Sequence, residues 1–235
     1  MEQIIKNILL SSNKGITEKQ AEMFAVYARM LVKRNEKINL TSVTDPADIA
    51  VKHFLDSISP LWVTKISGSI ADVGTGAGFP AVPLKIMRPD LHFTLIDSLA
   101  KRIKFLDDVK SELGLENITL IHSRAEDAGR DKNLREQFDF CVSRAVANTA
   151  TLSELCLPLV KPGGALIALK GPLAESELEC AKKAISALGG RIARVCDVYI
   201  PHSDLNHKIV IIKKVRHTSD IYPRKAPLPS KNPII

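Results

Sequence analysis

Ile70-Ala71-Asp72-Val73-Gly74-Thr75-Gly76-Ala77-Gly78-Phe79-Pro80 decides how the rest of this chain is read. A short apolar run ends in an acid, three glycines alternate, and a helix-like segment follows. Glycine tolerates positive φ and lets a backbone approach a ligand closely. A glycine loop between a strand and a helix is where open α/β proteins bind nucleotides. The dinucleotide fingerprint GxGxxG would require glycine at position 79, where this chain has Phe79. The spacing is instead Asp-x-Gly-x-Gly-x-Gly. By itself such a loop can also serve as a plain tight turn, so the neighbouring segments must decide.

Those segments alternate. Strands are read at Ile70–Val73, His92–Asp97, Ile118–His122, Phe138–Ser143 and Ala165–Lys170, with helical stretches between them. Lys161-Pro162-Gly163-Gly164 reads as a turn into the fifth strand. Alternation of this kind implies a mostly parallel sheet with helices on both faces. Arg194–Ile200 and Lys208–Val215 have no helix between them and are expected to pair as an antiparallel hairpin. Ahead of the sheet, Thr17-Glu18-Lys19-Gln20 matches a capping box, and Phe24, Tyr27, Ala28, Leu31 and Ile38 recur at helical spacing. Asp45-Pro46 reads as an N-cap with proline at the first helical position. The helix behind it carries Ile49, His53, Phe54 and Ile58 and is expected to end at Pro60. The tail, Tyr222 to Lys231, is basic and proline-rich and is expected to be extended and mobile when free. The division drawn from these features is a helical extension over 1–60, an α/β domain over 61–217 and a basic tail over 218–235.

Length and composition suit one large soluble domain: 235 residues, 45% hydrophobic and 25% charged. No apolar run approaches the length of a membrane span, and the first residues lack the pattern of a signal peptide. A cytoplasmic protein is expected. Cys141, Cys156, Cys180 and Cys196 form no CxxC pair; three of them lie in apolar surroundings that read as strand or helix interior, so buried reduced thiols are expected, and no metal site. Lys and Arg number 33 against 26 for Asp and Glu, a net charge of +7 that suits an anionic partner such as nucleic acid.

Ligands of open α/β sheets bind at the carboxyl ends of the strands, so the residues ending each strand are the candidates. The second strand ends at Asp97, placed to accept hydrogen bonds from a ribose or to cap the next helix. Glycine loop and acid together suit a ribose-bearing cofactor. The Asp-x-Gly-x-Gly-x-Gly pattern resembles the first motif of class I S-adenosyl-L-methionine (AdoMet) methyltransferases, and a parallel sheet finishing in a hairpin is similar to theirs. The third strand ends in Ser123-Arg124-Ala125-Glu126-Asp127, a turn that in such enzymes contacts adenine, and otherwise a surface turn opening a helix. The fourth ends in Ser143-Arg144-Ala145-Val146. Arg144 faces either the site or an ion pair with Glu126 or Asp127. The fifth ends at Lys170, a further cation for the same edge. His53 reads as a hydrogen-bonded packing histidine and is also a substrate-side candidate, and Asp56 as a local cap or pair. Lys101, Arg102 and Lys104 form either a solvated face or a rim toward RNA.

Absences narrow the chemistry. The end of the fourth strand lacks the Asn/Asp-Pro-Pro-aromatic loop of enzymes that methylate exocyclic amines. No cysteine follows proline, as the nucleophile for carbon-5 methylation of pyrimidines does. A ring nitrogen with a free lone pair, such as guanine N7, needs neither device. With these residues in view, the chain resembles the RsmG (GidB) methyltransferases over nearly its whole length. The match includes Asn39-Leu40-Thr41, Val51 to Ser57, Asp72 to Pro80, Asp97-Ser98-Leu99-x-Lys101-Arg102, Arg124-Ala125-Glu126, Ser143 to Ala147 and Tyr222 to Lys225.

The resemblance implies the class I methyltransferase (Rossmann-like) fold, a mostly parallel seven-stranded sheet with a C-terminal hairpin and an N-terminal helical extension. It implies AdoMet as cofactor and methylation of guanine N7 in 16S ribosomal RNA, free or within the small subunit. It places Gly74, Phe79, Ala125, Glu126 and Arg144 on cofactor contacts. Gly76, Gly78 and Asp97 complete the expected cofactor set, and Arg144, Lys170 and His53 the substrate set. No covalent or acid–base residue is required, and a monomer without membrane contact is expected. Two rivals stay open here: a methyltransferase of the same fold acting on a small molecule or protein, and a non-catalytic ribosome-assembly factor retaining an AdoMet site.

Overall fold

The computed structural model describes residues 1–144, 147–204 and 206–234. Its centre is a seven-stranded sheet in the order β3-β2-β1-β4-β5-β7-β6. The strands are β1 (Ser69–Val73), β2 (His92–Asp97), β3 (Ile118–His122), β4 (Phe138–Arg144), β5 (Val160–Lys170), β6 (Gly190–Tyr199) and β7 (Asn206–Lys214). β1 to β5 pair in parallel, while β7 runs antiparallel to both β5 and β6. The expected hairpin is therefore present, with its second strand inserted against β5. Lys161–Gly164 lies inside β5 rather than before it. Phe138 pairs with Val160 and Phe140 with Ala165, so the proline–glycine stretch is absorbed as a bulge.

The N-terminal helices are α1 (Glu2–Ser11) and α2 (Glu18–Ile38). α2 starts at the expected capping box: the Thr17 amide donates to Gln20 Oε1 at 2.9 Å and the Gln20 amide to Thr17 Oγ1 at 3.3 Å. Asp45 caps α3 (Pro46–Asp48), accepting from the amides of Ala47 and Asp48. The next residues depart from expectation. Ile49–Leu55 is a π-helix, continued by α4 (Asp56–Ile58), and Pro60 opens the short α5 (Pro60–Val63) instead of ending the helical run. Proline fits there because a first helical position needs no amide donor. The remaining helices are α6 (Ala81–Met87), α7 (Ala100–Glu112), α8 (Ala125–Ala128), α9 (Thr149–Cys156), α10 (Ala174–Ala187) and α11 (Leu228–Lys231).

Both faces of the sheet are apolar, as parallel strands require. Ile167, Ile209 and Ile211 join Phe24, Tyr27, Leu31, Phe54 and Phe105 in one core. Leu166, Ala168, Val210 and Ile212 point the other way, into a second core with Leu152, Leu178 and Ile185. Residues 1–60 thus share the core beneath α6 and α7. The tail is likewise packed, which corrects the expectation of mobility. Arg224 donates from Nε and Nη2 to Glu154 at 2.9 and 2.6 Å, and its amide donates to the same carboxylate. Arg135 donates to the carbonyls of Thr218, Ser219 and Tyr222, and Thr151 Oγ1 to the carbonyl of Pro229. Of the cysteines, Cys141 and Cys156 are buried, but Cys196 is partly exposed and Cys180 exposed, at variance with the expected burial.

Candidate active site

The strand order reverses between β1 and β4, and the crevice at such a point is where open sheets bind ligands. Two cavities open there. The first, of about 470 Å³, is lined by Gly74, Gly76, Phe79, Asp97, Ala125, Glu126 and Arg144, together with His53 and Thr41. The second, of about 600 Å³, is lined by Asp56, Lys170, Glu177 and His207 and shares His53 and Arg144 with the first. Seven of the eight expected cofactor residues therefore converge on one cavity. Ala145 and Val146, quoted above in the Arg144 segment, lie outside the described residues.

Gly78 is the eighth, and its role is different. All three glycines of the loop have positive φ. A Cβ on Gly76 would meet nothing closer than 3.9 Å, so that position leaves room for a ligand. A Cβ on Gly78 would sit 2.7–2.8 Å from Val82, Leu106 and the Tyr27 hydroxyl. Gly78 is glycine because α2 packs against the loop there. Tyr27 itself donates a hydrogen bond to the Ala77 carbonyl, tying the N-terminal helices to the glycine loop. The helical stripe marked Tyr27 as core; nothing in the sequence revealed its bond to a loop 50 residues away.

Asp97 is buried at the end of β2 and holds the loop from the other side. Its Oδ2 accepts from the Gly76 amide at 2.9 Å and its Oδ1 from the Leu99 amide at 2.9 Å. Arg102 Nη1 lies 3.3 Å from Oδ2, so of the three α7 cations Arg102 belongs to the cavity. The Asp97 side chain does not cap α7, whose N-cap residue is Leu99 with no side-chain cap bond, and each of its oxygens can accept a further bond. Glu126 is 9% exposed, lines the cavity and has no hydrogen-bond partner among the described residues. Below the loop, Asp72 accepts from Thr75 Oγ1 at 2.7 Å and from the Ala81 amide at 3.2 Å, while its Oδ1 is buried without a partner. Burial pushes the Asp72 carboxyl up to about 7.

Arg144 and His53 stand between the two cavities. The Arg144 guanidinium lies over the Phe79 ring, 4.7 Å from its centroid, and the His53 ring stacks on Phe79 at 4.6 Å. Arg144 Nη1 donates to the Lys52 carbonyl at 2.9 Å and to Asp56 Oδ2 at 3.0 Å. Its ion-pair partner is thus Asp56, not Glu126 or Asp127. Asp56 in turn is no local cap: it bridges Arg144 and His207, 88 and 151 residues away. His53 Nε2 sits 2.8 Å from Thr41 Oγ1 and its Nδ1 3.4 Å from Arg144 Nη2. Burial first, and then Arg144, lower the His53 pKa to about 4, leaving a neutral ring at pH 7. Lys170 is confined to the second cavity, where its Nζ donates to Glu177 and to the Ala147 carbonyl. Among the described residues no cluster of His, Cys, Asp and Glu is arranged to hold a metal ion, and no helix is long and apolar enough to cross a membrane.

An open glycine loop, a buried acid ending β2 and an unpaired carboxylate ending β3, at the switch point of this strand order, fit a nucleoside with a cationic tail. The fold and this site define a class I AdoMet-dependent methyltransferase. Solved structures agree on the fold. The fibrillarin pre-rRNA processing protein of Methanococcus jannaschii has a TM-score of 0.52 at 17% identity, over 67% of this chain and 74% of its own. The [4+2]-cyclase SpnF has a TM-score of 0.52 at 18% identity, over 68% and 81%.

Sequence comparison is more specific. A family model named GidB, described as rRNA small subunit methyltransferase G, matches residues 20–204. Relatives named ribosomal RNA small subunit methyltransferase G include one from Lactobacillus johnsonii, 48% identical over 93% of both chains. Another, from Clostridium beijerinckii, is 51% identical over 93% of this chain and 92% of its own. The chain belongs to the GidB family of small-subunit ribosomal RNA methyltransferases.

Proposed function

We propose that this enzyme transfers a methyl group from AdoMet to N7 of one guanine in 16S ribosomal RNA. The observation that carries the proposal is the pair of cavities meeting at His53 and Arg144. One has the acids and open loop that suit the cofactor, and the other the room and polarity for a nucleotide. AdoMet, when bound, supplies an electrophilic methyl group on a cationic sulfur, for which guanine N7 has a free lone pair.

The residues have work to do around that event. Asp97 accepts from ribose hydroxyls while holding Gly76 and Leu99 in place. Glu126 accepts from an exocyclic amine, beside Ala125. Phe79 gives an apolar wall that keeps water from the meeting point. Guanine N7 carries no proton in its reactive form, so no general base is needed. Neutral His53 therefore serves as a packing surface and not as an acid. Rate enhancement rests on alignment and on the fixed charges of Arg144 and Asp56. Arg144 and Lys170 orient the target nucleotide, and basic residues of α2 and the tail meet the RNA backbone. In this reading the chain acts as a monomer without a resident metal, in the cytoplasm, over the units 1–60, 61–217 and 218–235.

Arg144→Ala tests the arrangement. Methyl transfer to small ribosomal subunits is expected to disappear, and the thermal midpoint to fall because buried Asp56 loses its ion-pair partner, while the protein still folds. Normal turnover by a folded Arg144→Ala variant would remove Arg144 from the mechanism.

A further inference from the structure

The scheme above counts Asp56 only as a fixed charge and gives His207 no part, yet both are placed with care. Asp56 is 4% exposed, and its oxygens are divided between two partners from different strands. Oδ2 accepts from Arg144 Nη1 of β4 at 3.0 Å, and Oδ1 accepts from His207 Nδ1 of β7 at 2.6 Å. Arg144 then reaches Phe79 and His53, at the partition between the cavities. A line of contacts so runs from the hairpin at one side of the sheet to the point where the two cavities meet. The other charged and titratable groups of the second cavity are Lys52, His53, Lys170 and Glu177. Lys170 and Glu177 pair with each other at 2.8 Å, so Asp56 is left to His207 and Arg144.

We propose that His207 is a positioning residue for methyl transfer: through Asp56 it holds the Arg144 guanidinium over the Phe79 ring, where the target base must be aligned. The inference rests on the functional reading above. An arginine has many rotamers, and a buried carboxylate with one donor can turn about its own bond. A second donor on Oδ1 fixes that rotation and keeps Oδ2 toward Arg144. Loss of the donor would also leave a buried acceptor unsatisfied. The short contact with Asp56 raises the His207 pKa, which favours the charged, doubly donating imidazolium.

The test compares the parent protein with His207→Ala and His207→Asn, using small ribosomal subunits from cells lacking this enzyme. Asparagine carries an amide donor near the place of Nδ1, so it can restore the bond. His207→Ala is expected to lower kcat roughly ten- to a hundredfold, as misplacement of an aligning group does. Its AdoMet Kd, read by calorimetry, should be unchanged, and His207→Asn should recover most of the loss. An unimpaired His207→Ala variant would overturn the proposal alone. Equal losses in both variants, with AdoMet binding and thermal midpoint falling together, would make His207 merely structural and also overturn it. No transfer by the parent protein would overturn the functional reading itself and the positioning role with it.

Discussion

Asp97 does two things with one carboxylate. It ties the glycine loop to the start of the segment after β2, and in the proposed reading it also accepts from the cofactor ribose. Asp97→Ala should therefore weaken AdoMet binding by roughly ten- to a hundredfold in calorimetry, through lost charge-assisted bonds and a loosened Gly76. Retained affinity would place the ribose elsewhere. Gly78 makes a different prediction. At φ +104°, with Val82, Leu106 and Tyr27 already in contact distance of any Cβ, Gly78→Ala should destabilise the fold by about 1–3 kcal/mol in denaturant unfolding. Asp72 gives a pH signature. Its folded pKa, about 7, lies above the ordinary carboxylate value of 3.8, so the folded state binds the extra proton between them. The contribution to stability is full below that window and falls as pH rises through it. Asp72→Asn, which stays neutral, should lack this decline, so its stability relative to the parent should improve from pH 4 to pH 7. A constant difference across that range would contradict the buried, partly orphaned carboxylate. At this scale Asp97 and the glycines were legible because they follow strand ends in a fixed spacing. The partners of Asp56 were not, because a sequence does not show which distant strands bring Arg144 and His207 to one helix.

Elements show the same division. α2 was legible from its capping box and apolar stripe, and the strands from runs ending in polar turns. The π-helix over Ile49–Leu55 was hidden, since a few residues at a wider turn disturb the apolar spacing too little to notice. Along this stretch and the start of α4 the Lys52 carbonyl and the Asp56 carboxylate both accept from Arg144, and His53 and Asp56 line the same crevice. The tail misleads in the opposite sense. Proline and basic residues read as a mobile chain, but Arg224 finds a buried acid on α9, 70 residues away. Glu154 is 1% exposed and also binds the Arg224 amide. Glu154→Ala should therefore cost about 3–5 kcal/mol, the range for removing one partner of a buried pair, and should free the tail to proteolysis. A variant as stable as the parent, with its tail still protected, would show that this clamp does not hold the tail.

The whole molecule is a sheet with an apolar core on each face, and the N-terminal helices and tail close over it rather than hang from it. A mostly parallel sheet follows from alternation, and an antiparallel end from the final hairpin, which is why the fold class could be read before the strand order was known. The place where β7 enters, between β5 and β6, and the sharing of one core by α2 and the sheet, depend on packing that no single segment encodes. A net charge of +7 on such a body suits the ribosomal RNA of the proposed reaction. Binding to the small subunit should weaken steeply as salt rises, because each neutralised phosphate releases counterions. Salt-independent binding would argue against contact with the RNA backbone. The central claim is tested most directly by transfer of labelled methyl groups from AdoMet to small ribosomal subunits of cells lacking this enzyme, mapped by cleavage specific for 7-methylguanine. The account predicts label at a single guanine of the 16S RNA. Label elsewhere, or none from a protein that binds AdoMet, would contradict it.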